Sequence, residues 1–229
     1  MANDKTTMRQ AALTAGFGLL IMAIAASFAQ MYAMPKLIVS GNMTETIHNI
    51  MDGRALFLGA LFCYLVAFIC DVFVAWGFYV LLAPVNRSFS LLTAWFRLMY
   101  TAIALYALIN LFMVDKMLGS SQFLEMIGPN HWQVQVVLSL SRFNNTWSFG
   151  FFFFSIHLLL LGYLVYRSGT IPRLIGILLA VAGLGYLADT LRPFFFPGLS
   201  PKIVMVTFIG ELVFMVWLLV KGWKLKEQG

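Results

Sequence analysis

Six apolar runs dominate this sequence, at roughly 11 to 34, 56 to 83, 92 to 114, 147 to 166, 172 to 190 and 203 to 221. Each is long enough to cross ~30 Å of hydrocarbon as an α-helix rising 1.5 Å per residue. Membrane-spanning strands are about half that length and alternate in polarity, so continuous runs of this kind exclude a β-barrel. A water-soluble fold is excluded by composition. The chain is 61% hydrophobic and 10% charged, where soluble domains average about 25% charged. The expected fold is all-α, a polytopic membrane helix bundle with six transmembrane helices. Six spans of ~20 residues consume about 120 positions, so residues 1–229 read as a single six-helix transmembrane domain.

Breakers punctuate the runs: Pro35 after the first, Pro84 after the second, Ser168, Gly169 and Pro172 between the fourth and fifth, and Pro193, Pro197, Gly198 and Pro201 before the sixth. Ser27 and Ala29 imitate a signal-peptidase site, but the first run is longer than a signal-peptide core and continues through Met31, Tyr32 and Met34. It reads as a retained anchor. Two loops, about 35 to 55 and 115 to 146, have room for structure of their own. The segment from Trp132 to Phe143 either lies on the membrane surface or extends the fourth helix outward. Cys63 and Cys70 stand about 10 Å apart along one helix, too far for a disulfide.

The net charge of +6 does not indicate a nucleic-acid partner, because the cations are scattered at the ends of apolar runs and form no basic face. Anionic lipid headgroups explain them better. One side of the membrane would carry Lys5, Arg9, Arg87, Arg167, Arg173, Lys221, Lys224 and Lys226 in short segments. The other would carry Lys36, Arg54, Lys116, Arg142, Arg192 and Lys202 over longer loops, mixed with Glu45, Asp52, Asp115 and Glu125. The positive-inside rule places both termini in the cytoplasm.

A charge at the bilayer centre costs from ~2.5 kcal/mol upward, so ionisable residues within the runs are the most informative in the chain. Asp71, His157 and Glu211 each fall roughly 13 to 18 Å deep at 1.5 Å per residue and are expected to meet in one layer. Tyr64, Ala67, Asp71 and Ala75 share one helical face; Gly150, Phe154, His157 and Leu161 share another; Thr207, Gly210, Glu211 and Met215 a third. Ser148, Ser155 and Gly162 mark a nearly opposite face of the fourth helix, which argues for burial on two sides. Arg97, with Tyr100, Thr101 and Ala104 on its face, is expected to pair with Asp71 or to reach the headgroups. His157 is the expected partner of Glu211. Nearer the external side, Asp189 follows Ala182 and Gly185 and precedes Arg192; Asn110, Asn144 and Asn145 would add to a polar vestibule there.

Three readings of these residues stay open: a site that binds or passes a small solute, proton or ion; polar groups used only for helix packing in a structural or signalling partner; and an intramembrane metal-dependent enzyme with ligands from three helices. No catalytic motif occurs: HExxH-like spacing, a GxSxG elbow, a P-loop and a dinucleotide fingerprint are all lacking. No cofactor is expected, because no mid-span lysine offers a Schiff base and no mid-span histidine pair offers haem ligation. The aromatic clusters Phe151 to Phe154 and Phe194 to Phe196 read as lipid-facing and interfacial.

The stretches DVFVAWGFYVLLAPVNRSFSLLTAWFRLMY, IHLLLLGYLVYRSGTIPRLIGILLAVAGLGYLAD and GELVFMVWLLVKG resemble the bacterial membrane family called domain of unknown function 4386. The likeness covers nearly the whole chain, with Asp71, Arg97, His157, Asp189 and Glu211 at fixed places in the motifs. It implies a bacterial cytoplasmic-membrane protein, no assigned reaction, and added weight for those five residues.

Topology is testable by cysteine labelling from outside intact cells. Cysteines placed at Ser88 and Ser168 should stay unmodified while one at Ser121 reacts; the opposite pattern would invert the orientation.

Overall fold

The computed structural model describes residues 7–120, 125–126, 128–195 and 208–225. It is all-helical, with seven helices among the described residues. They are α1 (Met8–Leu37), α2 (Met43–Asp52), α3 (Arg54–Leu82), α4 (Arg87–Leu118), α5 (Pro129–Arg167), α6 (Arg173–Phe195) and α7 (Ile209–Lys221). Five of them, α1 and α3 to α6, are long and apolar enough to cross a membrane, in keeping with a multi-pass membrane protein. The sixth run is described as helix only from Ile209, and the 13 residues of α7 rise about 20 Å, short of a full crossing. Lys5, Phe196, Pro197, Gly198, Pro201, Lys202, Thr207 and Lys226, on which parts of the sequence reading rest, lie outside the described residues, as does Ser121.

One boundary differs from expectation, and one open alternative is decided. α1 continues past Pro35 to Leu37 through a π-helical turn at Phe28–Ala33; proline is tolerated in the first turn after such a register change because its missing N–H needs no partner there. α5 begins at Pro129, so the Trp132 to Phe143 segment is a helical extension. Its 39 residues span about 58 Å, well beyond the hydrocarbon thickness.

Helix starts follow local chemistry. Asn42 caps α2, its Oδ1 accepting from the Glu45 N–H at 3.1 Å while its Nδ2 donates to the Glu45 carboxylate at 2.8 Å. Asn86 accepts from the Phe89 N–H at 3.0 Å at the head of α4. Between α5 and α6, Ser168 Oγ accepts from the Ile171 N–H at 3.2 Å, and Gly169 takes a left-handed φ of +68°, where a side chain would be strained.

The chain divides into two compact units. One comprises 21–69 and 102–147. Within it Arg54 pairs with Asp115 at 2.8 Å, the Tyr64 hydroxyl donates to Gln30 at 2.5 Å, and Tyr64 packs among Phe68, Phe143 and Trp147.

The other comprises 1–20, 70–101 and 148–229, and its helices meet backbone to backbone. A Cβ on Gly162 would lie 2.7 Å from the Gly176 carbonyl oxygen, one on Gly176 2.7 Å from the Tyr166 nitrogen, and one on Gly210 2.5 Å from the Leu178 carbonyl oxygen. Small residues thus bring α6 against both α5 and α7, the usual route to close helix association in lipid, where no hydrophobic force separates one helix face from another. Gly176→Ala should therefore lower stability by ~1–3 kcal/mol through overpacking, measured by thermal unfolding in detergent. Gly59→Ala should be neutral or slightly stabilising, since the nearest atom to a Cβ there is 4.0 Å away on Phe28. Equal losses from both changes would contradict the close approach.

Candidate functional site

Helical register carries four polar side chains to one interior place. Tyr64, Ala67, Asp71 and Ala75 are all buried, as are Arg97, Tyr100, Thr101 and Ala104, and Phe154, His157 and Leu161. On the second face expected for α5, Ser155 and Gly162 are buried but Ser148 is exposed, so that face is covered only over its later turns. Arg97 lies ten residues into α4, because that helix begins at Arg87. At about 15 Å along the helix it reaches mid-depth, and only 1% of it is exposed.

The Arg97 guanidinium donates from Nε to Asp71 Oδ1 at 2.8 Å and from Nη2 to the same oxygen at 2.5 Å. The Thr101 hydroxyl reaches Asp71 Oδ2 and also the Arg97 carbonyl oxygen at 2.9 Å. Arg97 Nη1 lies 3.0 Å from His157 Nε2, and His157 Nδ1 lies 2.9 Å from the Thr93 carbonyl oxygen. A carbonyl only accepts and a guanidinium only donates. His157 is accordingly neutral, with its proton on Nδ1 and its Nε2 lone pair facing Arg97. The rings of Phe78 and Phe154 lie 5.4 and 5.6 Å from the guanidinium carbon, within cation–π range.

Three of the five guanidinium N–H groups are used in these bonds. Arg97 also lines a cavity of about 10 Å³ together with Glu211, Leu19, Phe78, Leu158 and Phe214. Glu211 is partly buried beside the α6–α7 contact, its Oε1 shut off from solvent and without a hydrogen-bond partner among the described residues. The Tyr186 hydroxyl interacts electrostatically with the Glu211 carboxyl, and the Tyr186 ring packs edge-on against Phe154 at 5.2 Å.

The structure corrects the expected His157–Glu211 pair. His157 bonds to Arg97 and to the Thr93 carbonyl, and no hydrogen bond joins it to Glu211 among the described residues. Nor does His157 offer a nitrogen to a metal, since one is protonated toward Thr93 and the other accepts from Arg97. The buried face of α7 runs through Gly210, Phe214 and Leu218, with Met215 only half-buried. Asp189 and Arg192 are half-buried near the end of α6, and both are engaged in interactions. Phe194 and Phe195 are exposed, but Phe154 points inward. Tyr186, Phe78 and the Thr93 carbonyl went unnoticed in the sequence. Tyr186 was detectable as the one polar aromatic in the Gly- and Ala-rich α6, whereas a backbone carbonyl leaves no sequence signal.

Residues 14–222 match the family described as Domain of unknown function (DUF4386). The chain belongs to this family. A relative 37% identical over 159 residues, covering 69% of this chain and 81% of its own length, is an uncharacterized protein from Archaeoglobus fulgidus. No solved structure matches the chain. Since the match reaches from α1 to Gly222, all five of the polar residues singled out in the sequence fall inside the family's own extent.

Removing one partner of a buried ion pair leaves an uncompensated charge and costs ~3–5 kcal/mol. Asp71→Asn should cost that much in the native background and markedly less in an Arg97→Gln background, read from thermal or denaturant unfolding in the same detergent. Equal costs in the two backgrounds would show that the pair is not coupled.

Proposed function

We propose that this family member is a membrane protein that binds a proton at its interior polar layer, with Glu211 as the proton-carrying group and Arg97 as the fixed charge against which it works. The observation that carries the proposal is the cavity shared by Arg97 and Glu211. At about 10 Å³ it has room for about one water molecule, which argues against a solute of any larger size. Charge balance supports the same reading. Arg97 is already neutralised by Asp71, so an ionised Glu211 would leave the layer with a net negative charge at membrane depth, and a protonated Glu211 would leave it neutral. A water in the cavity would accept from a spare Arg97 N–H and donate to Glu211 Oε1. In this reading both termini face the cytoplasm and the chain resides in the cytoplasmic membrane.

A second reading, a structural or signalling partner that uses the layer only to lock α3, α4 and α5 together, is favoured by the complete engagement of Asp71, Thr101 and His157 with one another and with Arg97.

Infrared difference spectroscopy on protein in lipid nanodiscs separates the two. Proton binding predicts one carboxylic-acid band that titrates with pH, vanishes in Glu211→Gln, and persists in Asp189→Asn, with the Glu211→Gln protein folded. A titrating band that survives Glu211→Gln would refute the assignment. The absence of any titrating band, together with a loss of thermal stability in Glu211→Gln, would establish the packing reading instead.

A further inference from the structure

A second pocket lies where the start of α6 meets the end of α7, and none of its lining residues belongs to the interior layer. It measures about 590 Å³ and is lined by the loop before α6 and the last turn of α7, including Thr170, Arg173, Trp217, Lys221 and Lys224. Three cations therefore face one opening. Among the described residues none of the three forms a salt bridge, and the first turn of α6 contains no acid. The loop is held in shape by Ser168 and Gly169, so the pocket is built on ordered backbone. The α6 N-terminus opens onto it, adding the positive end of a 23-residue helix to the three side chains.

The two helices that carry the pocket also bear exposed apolar side chains. Leu174 and Ile177 on α6, and Val216 and Val220 on α7, are all exposed, as the lipid-facing surface of two membrane helices should be. A ligand of mixed character is thereby specified: an anionic head for Arg173, Lys221 and Lys224, with apolar chains running down the flanking faces. A free anion would use the first feature and leave the second without purpose.

We propose that this pocket is a binding site for the phosphate headgroup of an anionic phospholipid. Arg173 supplies a planar fork suited to paired phosphate oxygens, held from behind by its stacking over Tyr166 at 5.6 Å. Lys221 and Lys224 act as point charges on longer stems, and Trp217 provides the amphipathic wall typical of the interface.

The test uses the full chain in detergent, with thermal unfolding and native mass spectrometry as readouts. Phosphatidylglycerol should raise the melting temperature and remain bound in the gas phase, whereas phosphatidylcholine and inorganic phosphate should not. The Arg173→Gln, Lys221→Gln, Lys224→Gln triple variant should bind phosphatidylglycerol about a hundredfold more weakly, given the usual contribution of each surface cation to headgroup attraction. Arg87→Gln, which removes a cation outside the pocket, should bind as the native chain does. Equal weakening in Arg87→Gln and the triple variant would reduce the effect to general surface charge and overturn the site. Equal stabilisation by inorganic phosphate would overturn its assignment to lipid. Should the triple variant unfold, Lys221→Gln and Lys224→Gln singly, each expected to weaken binding several-fold, decide the matter in the same way; native-like binding by both would overturn the proposal.

Discussion

An arginine at membrane depth dictates what surrounds it. A guanidinium keeps its charge there, so the chain must provide a counter-charge and acceptors for its N–H groups or bear a desolvation cost of several kcal/mol. Asp71 supplies the charge, and His157 supplies a neutral acceptor. The Thr101 hydroxyl occupies the second carboxylate oxygen of Asp71, and the Thr93 carbonyl fixes the imidazole in the one tautomer that can accept from Arg97. Phe78 and Phe154 cover the cation from two directions. Each of these groups has a role only because Arg97 is where it is, and together they tie α3, α4 and α5.

Glycine contacts bring α6 and α7 up to this core. Gly162 and Gly176 let α5 and α6 touch, and Gly210 lets α7 touch α6. The residue after Gly210 is Glu211, so the close approach that seats α7 also delivers a carboxylate to the cavity beside Arg97. Packing and chemistry are joined at this point. Arg97 is firmly bonded to one acid, Asp71, and shares a cavity with a second, Glu211. In the proposed reading, a layer with one matched charge pair and one further acid has two charge states, and a single proton moves it between them.

Much of this was legible beforehand because lipid imposes simple rules. Apolar length gave the helices, and rarity of charge in those lengths singled out Asp71, Arg97, His157 and Glu211. Helical spacing then gave correct inward faces for α3, α4 and α5. Partner choice was less legible. Depth alone put His157 and Glu211 together, but depth says nothing about azimuth, and Arg97 proved to reach deeper than the apolar run suggested because α4 starts five residues earlier, at Arg87. The role of the Thr93 carbonyl was invisible, since every residue carries one. The π-helical turn in α1 was equally hidden, because a change in hydrogen-bond register has no composition of its own.

The claim on which the account rests is that Arg97 donates to an unprotonated His157 Nε2. The ¹⁵N chemical shifts of selectively labelled histidine in the membrane-embedded protein, with His157→Gln used to assign the signal, report it directly. The expected result is a neutral ring protonated at Nδ1 and bare at Nε2. A doubly protonated ring, or one with its proton on Nε2, could not accept from the guanidinium and would contradict it.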